Sequence, residues 1–141
     1  MTRVIYTGYF VNNPDELIKH VPVRLRGADV KLFAHHVTKS FRPPEGLSGT
    51  IIGRKYTLRV YAEVITDRVH VMLVESTGEA LVTVKKYPHI TIATAQGAAP
   101  TESDQAIDAA IMNNTVKLLE QPFTIEVTEG YFDGDRIHTT L

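Results

Sequence analysis

Cysteine is absent from the 141 residues. That removes a thiol nucleophile, a disulfide framework and a thiolate zinc site at once, and it suits a reducing compartment without requiring one. Long apolar runs are absent as well. Nothing approaches the roughly 20 residues needed to cross a bilayer. The first residues, Met1-Thr2-Arg3-Val4-Ile5-Tyr6, carry neither a long apolar stretch nor a cleavage-site pattern. The expectation is a cytoplasmic chain without a membrane partner. Charge of one sign is also lacking: 15 Lys and Arg stand against 16 Asp and Glu, a formal net charge of −1. No global positive field recruits nucleic acid, so any RNA-binding surface has to be a local patch. There is no Gly-x-x-x-x-Gly-Lys loop and no Gly-x-Ser-x-Gly elbow, which removes nucleoside triphosphatase and serine hydrolase readings. His20, His70 and His138 have no partners at ligand spacing, so neither a zinc site nor a cofactor is expected.

What is present is an ordinary globular composition, 43% hydrophobic and 22% charged, in a chain long enough for one domain with a real core. Residues 3–10 read as a strand, rich in Val, Ile, Tyr and Phe. Asn13-Pro14-Asp15-Glu16 is a helix start: Asn13 can cap, Pro14 suits the first turn, and two acids oppose the dipole. That helix ends at Pro22, and a basic connector over residues 24–31 pivots at Gly27. A strand through Phe33 to Phe41 stops at Arg42-Pro43-Pro44-Glu45-Gly46. Between residues 56 and 64, Tyr56, Leu58, Val60, Ala62 and Val64 alternate with Thr57, Arg59, Tyr61 and Glu63. Thr66-Asp67-Arg68 predicts a hairpin turn and residues 69–75 its returning strand. Residues 80–84 read as a short strand. A helix capped by Thr101 or Ser103 is expected to reach about Leu118, burying Ile107, Ala110, Ile111 and Val116. Phe123, Ile125 and Val127 mark one more strand, and residues 131–137 a last strand or an irregular end. Hairpin-length links dominate, which predicts an α+β fold of two helices on mostly antiparallel sheet.

The stretch that carries chemistry is Tyr87-Pro88-His89-Ile90-Thr91-Ile92-Ala93. Strand side chains alternate between faces, so Ile90 and Ile92 enter a core while His89, Thr91 and Ala93 face the other way. An imidazole and a hydroxyl about 7 Å apart on one rigid strand address the same small volume. Together they can transfer a proton and bind an anionic oxygen. Phe33-Ala34-His35-His36-Val37-Thr38 offers a second such pair, His36 and Thr38. There alternation requires one of His35 and His36 to point toward the Val37 side. The plain alternative for both is a polar strand face open to water. A third match, His138-Thr139-Thr140, falls at the C-terminal end, where fraying is expected.

Two strand-borne motifs, His36-Val37-Thr38 and His89-Ile90-Thr91, one in each half of a small α+β chain, resemble the 2H phosphoesterase superfamily. The nearest likeness is to the cyclic phosphodiesterase domain of fungal and plant tRNA ligases. The N-terminal strand-helix unit and the long alternating strand at residues 56–64 fit it, so the resemblance spans most of the chain. It implies a two-lobed, mostly antiparallel sheet with pseudo-twofold symmetry around a central groove, helices outside. It also implies a metal-independent reaction in which two histidines act as acid and base while Thr38 and Thr91 bind the phosphate. The substrate implied is a 2′,3′-cyclic phosphate on an RNA end or a nucleotide, opened to a 2′-phosphate. Lys39, Arg42, Lys86 and Tyr87, beside the motifs, are the candidate substrate-binding residues. Two other expectations stay open: cleavage of cyclic oligonucleotide signals, as by viral anti-defence members of the superfamily, and a noncatalytic nucleotide-binding module.

Overall fold

The computed structural model describes residues 3–25, 27 and 29–140; the expectations for Met1 and Thr2, and those for Arg26 and Ala28 of the connector, lie outside the described residues. The elements run β1 (Tyr6–Val11), α1 (Pro14–His20), β2 (Lys31–Leu32), β3 (His36–Phe41), β4 (Lys55–Ile65) and β5 (Val69–Ser76). Then follow β6 (His89–Thr94), α2 (Glu102–Met112), β7 (Lys117–Phe132) and β8 (Ile137–His138). All pairings are antiparallel, in the order β1-β3-β6-β5-β4-β7, and β7 returns to β1 to close a six-stranded barrel. β2 adds to β6 and β8 to β7. Closure leaves no lateral edge among the six, which removes the aggregation hazard of an open sheet.

Tyr9, Val37, Leu58, Met72, Ile90 and Ile92, all fully buried, fill the barrel. Leu17 and Val21 join them from α1 and the residue after it. That helix is tied to the barrel core through these two side chains. Asn13 caps it, its side chain accepting from the Glu16 N–H at 3.2 Å. The second helix lies on the outer face, where Ile107 and Ala110 pack against Ala62, Val64, Val71 and Leu73.

Several expectations are corrected here. Regular alternation would put Leu58 and Val64 on one face, but the register slips between Val60 and Ala62 in both ladders of β4. Such a bulge reverses the faces beyond it. Leu58 and Val60 therefore point inward while Ala62 and Val64 turn out toward α2. Glu63 is thereby buried beside His70 (3.2 Å) and Arg24 (3.3 Å). A slip between His70 and Val71 against β6 does the same to Ala93, which joins the barrel core rather than the face of His89 and Thr91. The long β7 takes in Pro122 at the break in its ladder with β4, where no N–H is needed. The second helix ends at Met112, not near Leu118, because Asn114 turns left-handed (φ 57°), and Ile111 is exposed. Neither expected hydroxyl caps it: Thr101 makes no capping bond, and Ser103 is turned to Thr91. Residues 80–84 are irregular rather than a strand. The C-terminal His138 is not frayed; it bonds Asp133 at 2.7 Å and stacks on Tyr131. Among the described residues no helix is long and apolar enough to cross a membrane.

Candidate active site

The site begins with two buried residues. Val37 of β3 and Ile90 of β6 are ladder partners, both inside the barrel with no exposed surface. Burying each aliphatic side chain contributes about 1.5–3 kcal/mol, and that holds the orientation of both strands. His36, Thr38, His89 and Thr91 must then face outward. Among the described residues Val37–Ile90 is the one β3–β6 ladder pair; toward His36 the pairing shifts, the Ala34 N–H donating to the Thr91 carbonyl at 2.9 Å. The two His-x-Thr triplets thus lie on neighbouring antiparallel strands.

All four side chains line one cavity of about 550 Å³, within the range of small-molecule sites. Tyr6, Phe33, Phe41 and Phe132 wall it, and Lys85 supplies a cation. Lys85 arrives on the irregular segment after β5, which crosses beside β3: the Thr83 hydroxyl donates to the Thr38 carbonyl (2.7 Å) and the Val84 N–H to that of Lys39 (2.9 Å). Its ammonium bonds Asp104 of α2 at 2.7 Å.

His89 Nδ1 lies 2.8 Å from the Tyr87 carbonyl oxygen. A carbonyl only accepts, so Nδ1 carries the proton and the neutral ring presents a bare Nε2. Asp104 approaches that Nε2 at 4.0 Å. Burial lowers the His89 pKa against the opposing pull of the Tyr87 carbonyl and Asp104, and Lys85 lowers it further. The Thr91 hydroxyl shares a 2.8 Å bond with Ser103. The Thr38 hydroxyl has no bond to protein among the described residues and is open to the cavity. His36 has two rings beside it, Tyr6 at 4.6 Å and His35 at 4.5 Å between ring centres. Its pKa falls to about 3, chiefly through burial, then through the proximity of His35 and His89.

No family model matches the chain, and a search of the curated proteins returns no match.

Of the residues singled out by sequence, the structure gathers His36, Thr38, His89 and Thr91, with Lys85, a lysine flanking the second motif, beside them, and separates Lys39, Lys86, Tyr87 and Arg42. Lys39 points to the opposite side of β3 from Thr38, where its ammonium bonds Glu129 at 2.8 Å and the Gly49 carbonyl at 2.7 Å. Lys86 sits over the ring of Tyr87, and both border a smaller depression beside α2. Arg42 turns left-handed (φ 47°) at the end of β3 and lies over Phe41, outside the cavity lining. His35 corrects the strict alternation expected of the double histidine. Ala34 adopts φ 59°, and β3 becomes regular only at His36, so both rings reach the cavity. Tyr6, Phe132, Ser103 and Asp104 were not legible as site residues. Tyr6 carries a weak signal, an aromatic on a strand, but its neighbour across the ladder is a matter of topology. Among the described residues no cluster of three His, Asp or Glu stands at metal-binding geometry.

Proposed function

We propose that the protein is a metal-independent phosphodiesterase of the 2H type that opens a 2′,3′-cyclic phosphate on an RNA end or nucleotide. The observation that carries this reading is the convergence of both His-x-Thr pairs on one cavity. On this reading the barrel divides functionally at the β3–β6 seam into two halves, each supplying one histidine and one threonine. The bare Nε2 of His89 takes a proton from water as the water oxygen attacks phosphorus. His36, protonated along with arrival of the anion, gives its Nε2 proton to the departing ribose 3′ oxygen, leaving a 2′-phosphate. Thr38 and Thr91 donate to the nonbridging oxygens, where charge grows. The aromatic walls accept a base and ribose by stacking. The cysteine-free composition suits a reducing interior such as the cytoplasm.

A second reading is favoured by a neighbouring cavity of about 690 Å³, which shares His35 and Ile137 with the first. Two adjoining cavities suit a substrate with two nucleosides, such as a cyclic oligonucleotide signal. Lys39 is accounted for by its pairing with Glu129. The deciding assay incubates the protein in chelator with nucleoside 2′,3′-cyclic phosphates, cyclic-ended RNA and cyclic dinucleotides, and identifies products. His36→Ala and His89→Ala are each expected to lose about 10²–10⁴-fold in kcat. Undiminished turnover by the His89→Ala protein would sink the reading; binding without turnover in the native protein would favour the module.

A further inference from the structure

His35 is a third imidazole that the His-x-Thr chemistry does not require, and its placement is costly. It depends on the left-handed Ala34, a conformation that a residue with a Cβ adopts rarely. That kink brings His35 Nδ1 to 2.6 Å from His36 Nδ1, with the ring planes 25° apart and their nitrogen edges facing. The backbone is held there, since the His35 carbonyl accepts the Val11 N–H at 2.9 Å. At 2.6 Å the two nitrogens must share one hydrogen, because two facing N–H groups or two facing lone pairs would repel. Nε2 of His36 has no protein partner among the described residues, so it is the nitrogen left for a ligand.

We infer that His35 is the positioning residue of this site, its Nδ1 accepting the Nδ1–H of His36 and thereby aiming Nε2 of His36 at the bound anion. Two parts of the job are those a carboxylate does for the histidine of a serine hydrolase triad: select the tautomer and hold the ring. A neutral imidazole does it more weakly, since it brings a lone pair without a charge. The other groups that face His36 do not replace it. Tyr6 of β1 stands at 3.4 Å from Nδ1, a long contact, and keeps its proton because burial raises its pKa to about 12. His89 of β6 and Lys85 border the cavity, and His89, like His35 itself, opposes charge on His36. The Nδ1 contact with His35, at 2.6 Å, is the short one that selects the tautomer.

The role rests on the reading of His36 as proton donor, but the tautomer can be measured without turnover. The test compares native protein, His35→Phe and His35→Asn, labelled with ¹⁵N in histidine. Phenylalanine keeps a stacking ring and loses the nitrogen, whereas the asparagine amide can stand in for Nδ1. Imidazole ¹⁵N shifts of neutral His36 are expected to report the Nδ1–H form in the native and Asn proteins and a mixture in the Phe protein. On a nucleoside 2′,3′-cyclic phosphate, kcat of His35→Phe should fall about 10–100-fold with KM within about threefold, and His35→Asn should recover most of it. An Nε2–H tautomer in the native protein, or a tautomer unchanged in His35→Phe, overturns the inference. So does equal kcat in the two variants. Should the native protein turn over no cyclic phosphate, the proposed reaction fails while the ¹⁵N shifts still decide the role of His35. Should His35→Phe not fold, native and Asn spectra decide it.

Discussion

Replacing Lys39 with methionine separates a structural cation from a substrate-binding one. By sequence Lys39 adjoins Thr38 and looks poised for phosphate. In the structure its side chain is 12% exposed and that of its partner Glu129 only 3%, with 2.8 Å between ammonium and carboxylate. Methionine retains most of the aliphatic stem and removes the charge, leaving the Glu129 carboxylate buried with only a long bond from the Tyr56 hydroxyl (3.5 Å). Breaking a buried pair from one side costs about 3–5 kcal/mol. Unfolding entropy of about 2.1 cal/mol/K per residue gives about 0.3 kcal/mol/K for a chain of this length, hence a Tm lower by about 10–17 °C. A Lys39→Met, Glu129→Leu double variant should recover most of that loss, because removing both charges removes the penalty. Calorimetry or urea melts of the four-member cycle give the numbers. Below the lowered Tm, KM should stay within about twofold of the native value, since Lys39 does not reach the cavity. The reasoning is refuted if the single variant melts within about 2 °C of the native protein. It is equally refuted if KM rises tenfold or more at unchanged stability.

The remaining predictions concern acid and the seam between the strands. The folded-state pKa of His36 lies at about 3, below its ordinary 6.5, and His35, His70 and His89 are lowered in the same direction by burial. The unfolded chain then binds more protons than the folded one below about pH 6.5, so stability is full above that value and drains away as pH falls toward the folded pKa. Urea melts from pH 7 to pH 4 should show this loss, with a shallower slope in His36→Phe; equal slopes would contradict it. Gly8 of β1 pairs with Thr38, and a Cβ there would stand 2.7 Å from the Val37 carbonyl oxygen. Gly8→Ala should cost about 1–3 kcal/mol and displace the strand bearing His36 and Thr38, lowering kcat more than a comparably destabilising change in α1; activity per folded molecule equal to native would count against that.

Local patterns were legible where a local force decides them. Ile90 and Ile92 must leave water, and a period of two then sends His89 and Thr91 to the other face whatever the fold. The same holds for Val37 between His36 and Thr38, for the cap at Asn13 and for the stop at Arg42-Pro43. Each rests on neighbours within a few residues. Illegible were the features that depend on which strand lies beside which. Val37 against Ile90 is one ladder pair between halves of the chain, and without it the two motifs are unrelated polar patches.

Bulges were equally hidden, because one extra residue reverses a face without leaving a compositional trace. That reversal buries Glu63 and takes Ala93 into the core. Lys39 read as a ligand for phosphate because its partner, Glu129, lies far along the chain in β7. The sequence by itself therefore determined which side chains each strand offers to water. The closure of the barrel decided which of those offers meet, since cross-strand register is settled by burial summed over the whole sheet and not by any one segment.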